Sequence, residues 1–160
     1  PFPEQGAQVF KNSIEEFNGI FEHLCSLFRE RTLAGQLIKS AGAVLENAYA
    51  PYSKYRVGAA VLTSNGNIYT GCNVENASFG ATICAERGAA MKAISEEGSC
   101  GITAIAIASE SEEPAPPCAL CRQFLSEFAG PDMQVYLYSL ASGVLRHYNF
   151  GTLMPHVFEL

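Results

Sequence analysis

"ATICAERGAA" spans residues 81–90 and sets Cys84, Glu86 and Arg87 close together in an otherwise apolar, small-residue run. The run predicts a helix that opens at Cys84 and continues to about Glu97, where Gly98 stops it. A helix start presents unpaired N–H groups and a partial positive charge, and both favour thiolate over thiol. Cys118 and Cys121 open a second helical pattern, with Leu120, Phe124, Leu125 and Phe128 up to Gly130. Two helices therefore begin at cysteines.

Outward from that centre, "YRVGAAVLTSNGNIYTGCNVENAS" (residues 55–78) reads as two strands joined at Asn65-Gly66, a dipeptide suited to the positive φ angles of a tight hairpin turn. "ITAIAIAS" (Ile102 to Ser109) is a buried strand, and "ESEEPAPP" (110–117) a polar, proline-rich loop. "MQVYLYSL" and "VLRHYNF" are strands about an Ala141-Ser142-Gly143 turn, while "TLMPHVFEL" is too short and mixed to assign. Upstream, Thr32 is a plausible N-cap for a helix carrying Leu33, Leu37, Ala41, Val44, Leu45 and Ala48, which Pro51 ends. Further upstream, Phe10, Ile14, Phe17, Phe21, Leu24 and Phe28 form the stripe of an amphipathic helix, weakened at Asn18-Gly19. The order of elements implies an α/β layered fold, a mixed sheet covered by helices.

Length and composition agree with one domain: 160 residues, 48% hydrophobic, can bury a core of ordinary size. No apolar run approaches the roughly 20 residues of a membrane-spanning helix, and no secretory layout opens the chain, so a soluble, cytoplasmic protein is expected. Ten basic against sixteen acidic residues disfavour a nucleic-acid partner, which requires clustered Lys and Arg. The six cysteines lie in a chain unlike a small disulfide-stapled domain, so thiols, some of them bound to metal, are expected.

Cys118 and Cys121, three apart on a helix, bring both sulfurs within reach of one ion. The same spacing serves redox chemistry, so the pair alone leaves two readings open. Cys84 supplies a third thiolate and tips the balance toward zinc with one tetrahedral position unfilled. Cys72 or one of the distant His23, His147 and His156 could still close the site as a structural one. Glu86, two positions from Cys84, points elsewhere on its helix and could overhang the open position, exchanging protons with water held there. As an isolated residue it would simply be a first-turn glutamate favouring its helix dipole. Arg87 can offset thiolate charge that exceeds the +2 of zinc; otherwise it is a surface arginine.

These residues carry a family resemblance. Cys84-Ala85-Glu86 followed by Pro117-Cys118-Ala119-Leu120-Cys121 matches the zinc deaminase signature. With "YAPYSKYRVGAAV", "GCNVENASFGATICAER" and "PPCALCRQF", the sequence resembles the cytidine deaminases of the small-subunit, three-cysteine, homotetrameric kind from about Leu33 onward. The resemblance implies a three-layer α/β/α fold with a sheet of about five strands over residues 32–160, preceded by an N-terminal helical extension over 1–31. It implies Cys84, Cys118 and Cys121 as ligands of one Zn2+ per subunit, Glu86 as proton shuttle and Arg87 as charge moderator. It further implies Asn73 and Glu75 at the ribose, the Ala85 N–H at the base carbonyl, and an aromatic at the base, here Tyr55 where phenylalanine is usual. Phe158, in a segment similar to the family's "LLPxxF", would reach a neighbouring subunit's site.

The activity so implied is hydrolytic deamination of cytidine and 2′-deoxycytidine, as in pyrimidine salvage. The partners are a small nucleoside and further copies of the chain, with neither nucleic acid nor membrane. Leu120 is bulky for its place, and the N-terminal stripe lies outside the family's usual core. Within the class, the intact Asn73-Val74-Glu75-Asn76 argues against a deaminase of a nucleoside antibiotic such as blasticidin S, and the acidic charge against a polynucleotide editor. Outside it stands a zinc-stabilised scaffold whose N-terminal helix binds a partner.

Overall fold

The computed structural model describes residues 32–158; the helix expected over Phe10–Phe28 lies outside the described residues. The described chain opens with α1 (Leu33–Leu45), then β1 (Val57–Thr63) and β2 (Ile68–Cys72). α2 (Ala85–Glu97), β3 (Ile102–Ser109) and α3 (Ala119–Ser126) follow, then β4 (Gln134–Ser139), β5 (Leu145–Asn149) and the short α4 (Phe150–Leu153). The strands form one sheet in the order β2-β1-β3-β4-β5, with β3 and β4 parallel and the other neighbours antiparallel.

Side-chain alternation on β1 divides the core in two. Ala59 and Val61 face α2 and α3, joining Ala85, Ala89, Ala90, Ala93, Ile105, Ile107 and Leu125. Ala60 and Leu62 face α1, joining Leu37, Ala41 and Leu45. Both sheet faces are thus covered, which gives the expected three layers. Small residues let the helices approach closely. A Cβ on Gly71 would stand 2.3 Å from the Ala89 nitrogen, and one on Gly58 would stand 2.0 Å from the Ala41 carbonyl oxygen. The Gly88–Ala90 stretch packs against β2 for that reason.

The Thr32 hydroxyl does accept from the Gly35 N–H (3.1 Å), capping α1 as expected. The helix stops at Leu45, before Pro51, because Asn47 and Ala48 turn their N–H groups onto the Val44 and Leu45 carbonyls. The β1–β2 connection also differs from a two-residue turn. Only Gly66 has a positive φ (86°), and Thr63 N pairs with Asn67 O while Gly66 N pairs with Thr63 O. That is a wider loop with the glycine alone in the left-handed region. Cys72, expected as a buried strand residue, ends β2 half-buried.

Candidate active site

α2 and α3 start side by side. Cys84 and Cys118 are their N-caps, both in extended conformation. The Sγ atoms of Cys84, Cys118 and Cys121 lie within 4.8 Å of one another, with Cys84 and Cys118 3.9 Å apart. Four ligands around zinc with Zn–S near 2.3 Å would have sulfurs about 3.8 Å apart, so the donor set and its spacing fit that ion. The cluster is electrostatically unfinished by itself. A hydrogen bond from Cys121, with help from Arg87, pulls the Cys84 thiol toward thiolate despite burial. The same contact with Cys84, followed by burial, keeps Cys121 protonated. A bound dication removes that conflict by letting all three ionise.

Among the described residues no fourth Cys, His, Asp or Glu joins the cluster. His147 stacks on Tyr136 with centroids 4.8 Å apart, and its Nε2 lies 2.7 Å from Gln134 Oε1. His156 is on the exposed tail, and His23 lies outside the described residues. The donor set is the three-protein-ligand kind that leaves room for water or substrate.

A cavity of about 390 Å³ opens over this nest. Its walls include Cys84, Ala85, Glu86, Cys118, Asn73, Glu75 and Tyr55. Glu86 is 5% exposed, and burial pushes its carboxyl up to about 7. A carboxyl held there exchanges protons readily at neutral pH. Cys84 makes no side-chain cap bond, the Glu86 carboxyl accepts from its own backbone N–H, and the fully buried Ala85 lines the cavity. Arg87 donates from Nη2 to the Thr82 carbonyl (2.8 Å), and the same nitrogen lies 4.0 Å from Cys84 Sγ. Among the described residues its buried Nε lacks a hydrogen-bond partner, a further donor available beside the sulfurs.

Asn73 and Glu75 brace the 52–57 loop. Asn73 Oδ1 accepts from Val57 N (2.9 Å) and its Nδ2 donates to Tyr55 O (2.8 Å). Glu75 Oε2 accepts from the N–H groups of Tyr52 (2.9 Å) and Ser53 (3.2 Å). Hydrogen bonding from Ser53, then from those N–H groups, holds its carboxyl below the usual carboxylate range. A carboxylate has about four lone-pair sites, so acceptor capacity for a sugar hydroxyl remains. Lys54, in the same loop, has a φ of 57°, a conformation uncommon outside glycine, and its N–H closes onto Ala50 O.

The structure adds wall residues that spacing alone does not flag: Val57, Thr82, Ile107, Ala115 and Pro116. A second hollow, of about 410 Å³, adjoins through Ser53, Glu75 and Thr82 and ends at the exposed rings of Tyr52 and Phe79. Arg122 braces the start of α3: its Nε donates to Pro117 O and its Nη1 to Leu153 O, both at 2.8 Å. Phe158 is not among the cavity's residues. It is 67% exposed, with its carbonyl accepting from Gln123 Nε2.

Comparison with known proteins agrees with this geometry. Residues 32–137 match the family described as the cytidine and deoxycytidylate deaminase zinc-binding region. The chain is 44% identical over 122 residues to a cytidine deaminase of Halalkalibacterium halodurans, covering 76% of this chain and 91% of that protein. It is 42% identical over 124 residues to one from Sporosarcina psychrophila, covering 78% and 90%. The crystal structure of cytidine deaminase from Burkholderia pseudomallei superposes with a TM-score of 0.75 at 41% identity, covering 79% of this chain and all of the other. That of Mycobacterium tuberculosis gives 0.69 at 34% identity, covering 81% and 99%. With its three-cysteine nest, its buried glutamate and a family match over most of its length, this chain belongs to the cytidine and deoxycytidylate deaminases.

Proposed function

We propose that the chain hydrolyses cytidine and 2′-deoxycytidine to uridine and 2′-deoxyuridine with release of ammonia, using Glu86 as proton carrier. Cys84, Cys118 and Cys121 would hold one Zn2+ per subunit. One observation carries this reading: a buried glutamate, its carboxyl near 7, shares a nucleoside-sized cavity with three clustered sulfurs. Zinc, when bound, acidifies a water molecule and makes it nucleophilic near neutral pH.

Glu86 accepts a proton from the attacking water and delivers it to ring N3, so that oxygen adds at C4. It then takes the proton of the new C4 hydroxyl and passes it to the amino group, the C4–N bond breaks as the C4 carbonyl forms, and ammonia leaves. The Ala85 N–H donates to the pyrimidine carbonyl, and the Tyr55 ring packs on the base. Asn73 and Glu75 take the ribose hydroxyls with the capacity their backbone bonds leave. Arg87 offsets the thiolate charge and preserves the electrophilicity of the site.

The reading extends to assembly and location. A homotetramer is supported by exposed apolar side chains near the site, Tyr49, Tyr52, Val74 and Phe79, and by Phe158. Phe158 would enter a neighbour's site. Residues 32–160 form the deaminase domain, 1–31 an added segment, and the setting is cytoplasmic. Among the described residues no helix is long and apolar enough to cross a membrane.

Zinc per subunit, measured together with the ultraviolet change of cytidine, tests the activity. One zinc with the spectral change of deamination is expected. Bound zinc without that change would leave only a zinc-stabilised scaffold. Light scattering after size exclusion, on the full chain and on one lacking residues 1–31, tests the tetramer.

A further inference from the structure

The cavity has two walls that come from separate parts of the chain. One is the 52–57 loop, with Ser53, Tyr55 and Val57; the other is the 110–117 loop, with Ala115 and Pro116, which runs on into Cys118. Two adjacent residues of the first wall bond two adjacent residues of the second. Arg56 Nε donates to Glu110 Oε2 (3.0 Å), and its Nη2 also bonds that carboxylate. The Tyr55 hydroxyl lies 3.1 Å from Ser111 Oγ.

Hydrogen counting fixes the direction of the second contact. Ser111 Oγ donates to the Glu113 carbonyl (2.5 Å), which can only accept. A serine hydroxyl has one proton, so it must accept at its other two contacts, from Tyr55 OH and from Ser109 Oγ (2.9 Å). Ser111 is thereby saturated, and the proton of the Tyr55 phenol is committed to it. Ser111 cannot easily yield. Ser139 Oγ holds the Ser111 carbonyl (2.6 Å), and Ser142 Oγ holds the Glu112 carbonyl (2.6 Å). Ser109 and Ser139 are themselves buried, and Arg146 pairs with Glu113 at 2.7 Å.

We propose that Ser111 is a positioning residue for substrate: it anchors the Tyr55 phenol and so fixes the ring of Tyr55, and the spacing between the two cavity walls, for the pyrimidine. Ser111 does not line the cavity and acts only through Tyr55. The ring would pack on the base with phenylalanine at 55 as well; the hydroxyl adds orientation by tying the ring to a loop that is itself pinned to β4 and its following turn. A ring packed on the base makes the same contact before and during the reaction, so losing its orientation raises KM more than it lowers kcat. The inference rests on the reading of this cavity as the nucleoside site.

The experiment is a double-mutant cycle in the zinc-loaded enzyme with cytidine as substrate. Tyr55→Phe and Ser111→Ala should each raise KM roughly threefold to tenfold, the range one neutral hydrogen bond supplies, with a smaller fall in kcat. The double variant should be no worse than the poorer single one, because both remove the same contact. Additive effects, or an unchanged KM in Ser111→Ala, would overturn the proposal; the second result would leave the Tyr55 hydroxyl acting on substrate directly. Ser111→Thr, which keeps a hydroxyl at the same place, should restore KM if folding of the alanine variant is impaired, and failure of that rescue counts against the Tyr55–Ser111 anchor. Turnover by the parent enzyme is read in the same assay. If the parent does not deaminate cytidine, the function reading fails; if it does and the cycle is additive, only the Tyr55–Ser111 anchor fails.

Discussion

The starts of α2 and α3 are built to one plan and differ in what they offer. Each has a cysteine N-cap in extended conformation, φ −72° and ψ 156° at Cys84, φ −65° and ψ 166° at Cys118. Each has an arginine that reaches back to a carbonyl just before its first cysteine, Arg87 to Thr82 and Arg122 to Pro117. At α3, Cys118 Sγ accepts from Cys121 N (3.4 Å), so the helix is capped by its own first cysteine. At α2 the N-cap cysteine makes no such bond, and the Glu86 carboxyl accepts from its own backbone N–H instead. Two residues past its cysteine, α2 buries Glu86, whereas α3 leaves Leu120 69% exposed. One helix start therefore closes on its own first cysteine; the other leaves its cysteine out of capping and sets a buried acid in the cavity wall.

Substitutions that remove or blur this difference should have graded effects. Removing the ligand that α2 contributes is the most severe. Cys84→Ala should bring zinc per subunit, read by atomic absorption, toward zero and turnover to background. Next is the charge at the same helix start. Arg87→Gln should keep zinc yet lower turnover roughly 10- to 100-fold, since it only supports the sulfurs. Retained turnover would place Arg87 among ordinary packing residues. Gly71→Ala challenges the seat of α2 on β2, because the new Cβ would meet the Ala89 backbone. It should cost about 1–3 kcal/mol and lower Tm roughly 3–10 °C. Leu120→Ala, on the exposed side of α3, should change stability by no more than about 0.5 kcal/mol and leave zinc bound.

Much of this contrast can be read from the chain because it is local. Cysteine spacing, Gly98 after α2 and the period-two alternation of β3 depend on near neighbours, and the strand limits Ile102–Ser109 emerge as expected. The turn at Asn65-Gly66 was legible as a turn but not as a type, since its geometry depends on how Thr63 pairs with both Gly66 and Asn67. The end of α1 escaped for a similar reason: carbonyls of its last turn are taken by the turn after it, well before Pro51 acts. Asn73 and Glu75 show the harder case. Their side chains bond backbone N–H groups 16 and 22 or 23 residues away, a pairing that no local pattern announces. Ser111 lies in a loop rich in polar residues, and its link to Tyr55, 56 positions earlier, exists only once β1 and β3 are neighbours.

The central claim is that the acid at the start of α2 moves the protons while the sulfurs hold the metal. Zinc content and the rate of cytidine loss, measured on one preparation of Glu86→Gln, test it directly. Zinc should stay at one per subunit while turnover falls roughly 10²- to 10⁴-fold. A zinc-loaded Glu86→Gln enzyme with near-normal turnover would contradict it.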